Sequence, residues 1–154
     1  MKKRTRRKIY ASENTNPVLV ALMGASMVDE ESLNRLRFGE LSAIESITKG
    51  SGTLWEYRLL ADMLNICERM AENGIGPEAL PACEAFNEEL AGMAERYEKT
   101  QKMGFTGRGL QLAREVYEFH DIQRSSITRA EYERMIKKTN DYIRSNGHRV
   151  VNIT

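Results

Sequence analysis

The chain has 154 residues and a mass of 17.6 kDa, the size of one domain that can bury roughly two-thirds of its unfolded surface without disulfides or metals. Its 41% hydrophobic and 29% charged residues, with three prolines, describe a globular chain and exclude a fibrous or wholly disordered one. No apolar run reaches the roughly 18 to 20 residues of a membrane span. The two cysteines, Cys67 and Cys83, are too few for a disulfide-framed scaffold or a four-cysteine zinc site.

The formal net charge of +1 is unevenly spread. Residues 1–8 carry six cations, Lys2, Lys3, Arg4, Arg6, Arg7 and Lys8; residues 9–101 are net −9 and residues 102–154 net +4. A basic arm ahead of an acidic core can bind a DNA or RNA backbone by counterion release. It can also be a solvated tail, or fold back on the acidic core. Residues 1–14 therefore read as a basic, disordered arm. Thr5-Arg-Arg-Lys-Ile-Tyr10 has a twin-arginine look, but Glu13 and Pro17 interrupt the path to the apolar stretch Val18–Val28. A cytoplasmic protein with reduced thiols is therefore expected.

From here the chain reads as helix. Asn16-Pro17 is a cap followed by a first-turn proline. Val18 to Met23 then cover every face of a short helix, which must be buried at the domain centre or against another chain. A homo-oligomer through residues 18–28 is one expectation. Asp29 caps the next helix, running to about Lys49, with Leu33, Leu36, Ala43, Ile44 and Ile47 on one stripe. Arg37 and Glu40 fall inside that stripe. They read either as an internal ion pair or as an interface rim with Arg37 snorkelling. Gly50-Ser-Gly52 breaks the helix.

Thr53-Leu-Trp-Glu56 is a capping box. The helix it opens carries Leu59, Leu60, Met63, Leu64, Ile66, Cys67, Met70 and Ala71 on a broad face. Gly74 ends it in a position that brings Ile75 to Met70, and Trp55 is expected to pack beside the cap. Gly76-Pro77 opens the next element, whose regular part starts near Pro81. Ala79, Cys83, Phe86, Leu90, Met93 and Tyr97 form a seam spaced for packing inside an antiparallel bundle. Thr106 caps a helix that turns Leu112, Val116 and Phe119 inward. Thr128-Arg-Ala-Glu131 is a second capping box, opening a helix that buries Tyr132, Met135, Ile136, Thr139, Tyr142 and Ile143. The outer face of that last helix carries Arg134, Lys137, Lys138 and Arg144. Asn146-Gly147 stops it, and residues 148–154 are a β-prone tail.

The expected fold is therefore all-α: one bundle of five to six helices over residues 15–147.

Chemistry is harder to place. A carboxylate-bridged di-iron bundle needs Glu-x-x-His pairs, and Glu115 and Glu118 stand at the wrong spacing from His120. No metal or cofactor is expected. His120-Asp121 with Tyr117 is a candidate acid–base group, weighed against a half-buried, space-filling histidine. Cys67 and Cys83 read as packing thiols. Gly107, Arg108 and Gly109 form a candidate anion site at a helix N-terminus, but no strand precedes them and no Gly-Lys-Ser/Thr follows, so they are not a P-loop. The last two helices suggest a helix-turn-helix, but the first is too long and the turn lacks glycine.

Arg4-Thr-Arg-Arg-Lys8, Leu60-Ala-Asp-Met-Leu-Asn65, Gly74-Ile-Gly-Pro-Glu-Ala-Leu80, Thr106-Gly-x-Gly-Leu-Gln111 and Tyr117-Glu-Phe-His-Asp-Ile-Gln-Arg124 together span most of the chain. In their order the chain resembles uncharacterised small proteins encoded by bacteriophages and integrated mobile elements of bacteria. The resemblance implies a bacterial cytoplasmic setting and a regulatory or host-interaction role, and assigns no functional residue.

Two functions follow as expectations. One is a non-enzymatic regulatory protein contacting nucleic acid through the six arm cations and Arg134, Lys137, Lys138 and Arg144. The other is a protein-interaction module, a host-factor inhibitor or assembly component binding a host or phage protein.

Overall fold

Residues 28–147 are described by the structure, a computed structural model. The basic arm, the helix expected after Pro17 and the β-prone tail lie outside the described residues. The described residues form five α-helices and one 3-10 turn: α1 (Glu30–Thr48), α2 (Leu54–Glu72), the turn Pro77–Ala79, α3 (Leu80–Thr100), α4 (Gly107–Ser125) and α5 (Arg129–Asn146). No helix among them is long and apolar enough to cross a membrane.

Each helix starts and stops for a local reason. Asp29 Oδ1 accepts the Ser32 N–H at the start of α1. Thr53 and Glu56 form the full reciprocal capping box at α2, the Thr53 N–H donating to Glu56 Oε1 at 2.6 Å. At α5 only half of the expected box forms. Thr128 Oγ1 accepts the Glu131 N–H, while the Glu131 carboxylate turns outward to Arg134. The end of α2 is a Schellman motif. Gly74 takes φ +88°, its N–H reaches Ala71 O, and the Ile75 N–H reaches Met70 O at 2.9 Å. Between α1 and α2 the chain passes so close to Ile47 that a Cβ on Gly52 would lie 2.9 Å from the Ile47 Cα.

α2 is the hub. It packs against α1, α3, α4 and α5 as well as the 3-10 turn. Its sequence accounts for this: Tyr57, Leu60, Met63, Leu64, Cys67, Met70 and Ala71 are all buried, a stripe wide enough for several neighbours. The main core joins these to Ala43, Ile44 and Ile47 of α1, Cys83, Phe86, Leu90 and Met93 of α3, and Leu112, Ala113 and Val116 of α4. A smaller core of Val28, Leu33, Met70, Tyr132 and Met135 attaches α5 and the entry to α1.

Three side chains depart from the expected placement. Trp55 does not pack beside its cap; it is 69% exposed, because it lies on the outer face of the first turn of α2. Tyr142 is also exposed and forms a shelf for the Arg69 guanidinium, 3.5 Å from its ring centroid. His120 is fully rather than half buried.

Candidate functional site

The cations of α5 occupy its outer face as expected, but they are not a bare row of charge. Lys137 Nζ and Arg144 Nη1 each lie 3.0 Å from the same Asp141 carboxylate. Arg134 pairs with Glu131, and Lys138 Nζ donates to Asn73 Oδ1 at the end of α2. These are exposed contacts, mostly within one helix, of the kind worth at most about 1 kcal/mol, so a phosphate can compete for them. The exposed acids of the middle of the sequence are spread over several elements: Asp29, Glu30 and Glu31 where α1 begins, Glu45, Asp62, Glu72 and Glu78 further along, and four on α3. Glu84, Glu88, Glu95 and Glu98 are exposed on α3, which packs on α2 and α4, whereas α5 packs on α2.

At the candidate anion site Thr106 Oγ1 caps the helix by accepting the Gly109 N–H at 2.8 Å, and donates in turn to Glu89 Oε1 at 2.7 Å. A Cβ on Gly109 would lie 3.2 Å from that same Glu89 oxygen, and Arg108 reaches the other at 3.9 Å. The end of α4 that would attract a phosphate is thus faced by a carboxylate of α3.

A polar seam runs between α1 and α4. Arg37 and Glu40 do not pair with each other: Arg37 lies at the partly exposed edge of the seam and Glu40 is buried within it. Glu40 is buried and takes a bidentate pair from Arg124, which has no solvent exposure, at 2.8 and 2.9 Å. Arg37 bonds Asp121 at 2.9 and 3.0 Å and Glu30 at 3.0 Å. Arg124 Nε also reaches Asp121, at 3.1 Å, and closes the chain of charges. Tyr117 lies with its ring centroid 5.9 Å from the Arg124 guanidinium. Burial works against the charge on Arg124, but the hydrogen bonds and attraction of Glu40 outweigh it and hold the guanidinium protonated.

His120 is next to this seam but is not an acid–base pair with Asp121, whose oxygens are taken by the two arginines. Its Nδ1 faces Gln123 Oε1 at 3.0 Å. The Gln123 amide donates to two backbone carbonyls, Cys67 O at 3.1 Å and Ile75 O at 2.8 Å. Burial lowers the histidine pKa below its ordinary value, so the ring is neutral near pH 7.

Cys67 and Cys83 meet in the core as free thiols, with 3.6 Å between the sulfurs. Their mutual hydrogen bond and burial push the Cys67 thiol well above its ordinary pKa, which keeps it from acting as a nucleophile. Among the described residues, no group of three or more His, Cys, Asp or Glu side chains could hold a metal ion.

Arg124 and Gln123 escaped sequence reasoning, although a signal was present. Leu112, Val116, His120, Gln123 and Arg124 continue one buried face of α4, which changes from apolar to polar halfway along. No protein-family model matches the chain, and no curated protein or solved structure matches it.

Proposed function

We propose that the protein is a small, non-enzymatic regulatory protein that contacts a nucleic-acid backbone through its basic arm and the outer face of α5. One observation carries this reading: the chain enters the bundle beside α5. Val28 is buried with Tyr132 and Met135, and Asp29 Oδ2 accepts from Arg129 Nη2 at 2.7 Å. The described chain thus begins beside the helix that carries Arg134, Lys137, Lys138 and Arg144, and the arm cations Lys2, Lys3, Arg4, Arg6, Arg7 and Lys8 precede it in the sequence. The four exposed acids of α3 lie on another helix; Asp29, Glu30 and Glu31 stand at the chain entry beside α5, where Asp29 is paired with Arg129 and Glu30 with Arg37. The resemblance to phage and mobile-element proteins accords with such a role in a bacterial cytoplasm.

Lysine and arginine on phosphates give affinity without sequence choice, so binding is mainly nonspecific. Neutralising about six phosphates gives a salt slope near −5, and affinity falls more than about a hundredfold between about 50 and 200 mM salt. A mobility-shift titration with duplex DNA and RNA tests this on the full chain and on a deletion of residues 2–8. The deletion should lose most of the salt dependence while its helix content stays unchanged. No binding at the lower salt, or equal binding by both chains, overturns the reading in favour of a protein partner.

A further inference from the structure

A cleft of about 260 Å³ opens between α1, α2 and α5 and is lined by His120, Glu40, Tyr132, Leu36, Met63 and Ile66 among others. The hydrogen bonds behind it determine the chemistry of the histidine. Both Gln123 amide hydrogens are spent on carbonyls, so Gln123 presents only its oxygen to His120. His120 Nδ1 must then carry the proton and donate, which leaves Nε2 as an unprotonated acceptor. Glu40 has both oxygens on Arg124. Glu40 and Arg124 thus satisfy each other, the other charged residues of the lining, Arg35 and Asp62, are exposed, and the enclosed acceptor is the neutral His120 Nε2 lone pair.

A second, independent feature points to the same place. Gly39 lines the cleft from the middle of α1, where glycine weakens a helix relative to alanine. Nothing local requires it. Its φ is not positive, and the nearest atom to an added Cβ is Leu59 Cδ1 at 3.9 Å, an ordinary contact. What the missing side chain leaves is open space in the cleft.

We propose that this cleft binds a small neutral aromatic molecule with one N–H or O–H donor, of the indole or phenol class. The donor meets His120 Nε2, and the ring lies against Leu36, Leu59, Met63 and Ile66. The volume sets the size: an apolar cavity of about 150 Å³ takes a benzene ring, so this one holds up to a fused bicycle. The Met63 thioether is a favourable neighbour for a ring edge. A charged group set against His120 is disfavoured because the enclosed charges beside it, Glu40 and Arg124, already neutralise each other and the imidazole is neutral.

The test is an NMR titration that follows the His120 ring nitrogens in the full chain as indole or N-methylindole is added. Indole should move the Nε2 resonance, while N-methylindole, which has no donor, should bind roughly tenfold more weakly and leave it in place. Gly39→Leu fills the cleft while improving the helix; it should melt cooperatively and lose indole binding at least about tenfold. No movement of His120 at millimolar indole, equal binding of the two molecules, or unaltered binding by a folded Gly39→Leu variant overturns the proposal. The indole against N-methylindole comparison uses the unaltered chain, so it decides the question whether or not the variant folds.

Discussion

The seam between α1 and α4 and the seam between α2 and α3 are held by opposite means. In the second, Leu60, Cys67, Cys83, Phe86 and Leu90 interlock with no exposed surface and no charge. In the first, Glu40, Arg124, Asp121 and Arg37 form a chain of ion pairs, with one arginine fully enclosed. Apolar packing is non-directional and tolerates small shifts of one helix along another. A bidentate guanidinium–carboxylate pair is satisfied in one alignment only. The dry seam supplies burial; the polar seam selects the register in which α1 lies on α4. Burying that pair is itself costly, since each ion loses its water, so its contribution is one of specificity more than of net stability.

The largest expected effect comes from halving the pair. Arg124→Ala leaves Glu40 buried without a partner and should cost about 3–5 kcal/mol in chemical denaturation. Replacing both ions, as Glu40→Leu with Arg124→Leu, should recover most of that loss. If the double variant were as unstable as the single one, the charges would be needed for stability itself and the contrast between the seams would disappear. Next in size is a truncation on the dry side. Leu60→Ala should cost about 2–5 kcal/mol through lost burial and a cavity in the hub helix. An effect below about 1 kcal/mol would show that α2 can collapse around the gap and is not the hub described.

The smallest effect is a dependence on pH near neutrality. Burial lowers the His120 pKa below the ordinary imidazole value of 6.5, so the folded state binds its proton less readily than the unfolded chain. Stability from this group is fully present above pH 6.5 and is lost as pH falls through that value toward the folded one, with a slope no steeper than about 1.4 kcal/mol per pH unit. Glu40 opposes the shift and Arg124 reinforces it. Denaturation at about pH 7.5 and 5.5 measures it, within the range where histidine is the side chain that normally titrates. Equal or greater stability at the lower pH would contradict a neutral, enclosed imidazole.

Much of the helical framework was legible before any coordinates. Asp29, Thr53, Thr106 and Thr128 announce four helix starts because a side-chain oxygen three or fewer residues from free N–H groups needs no tertiary context to work. Gly74 and the Cys83–Phe86–Leu90–Met93 seam were equally plain, since both depend on spacing along one helix. Arg37 and Glu40 were not. Their position in an apolar stripe marked them as unusual, but their partners lie 84 positions away, beyond the reach of any local pattern.

The amino-acid sequence by itself determined that the described chain is helical, where most of its helices begin and end, and which stripes are apolar, because capping and periodicity are short-range. It also set the uneven distribution of charge. Only the tertiary structure decided how those charges are used. It enclosed Arg124 against Glu40, tied Lys138 of α5 to Asn73 at the end of α2, and turned Gln123 so that His120 keeps an open lone pair. Helix propensity is summed along the chain, whereas the state of a charge or an imidazole is set by whatever group the packing of distant helices brings within about 3 Å of it.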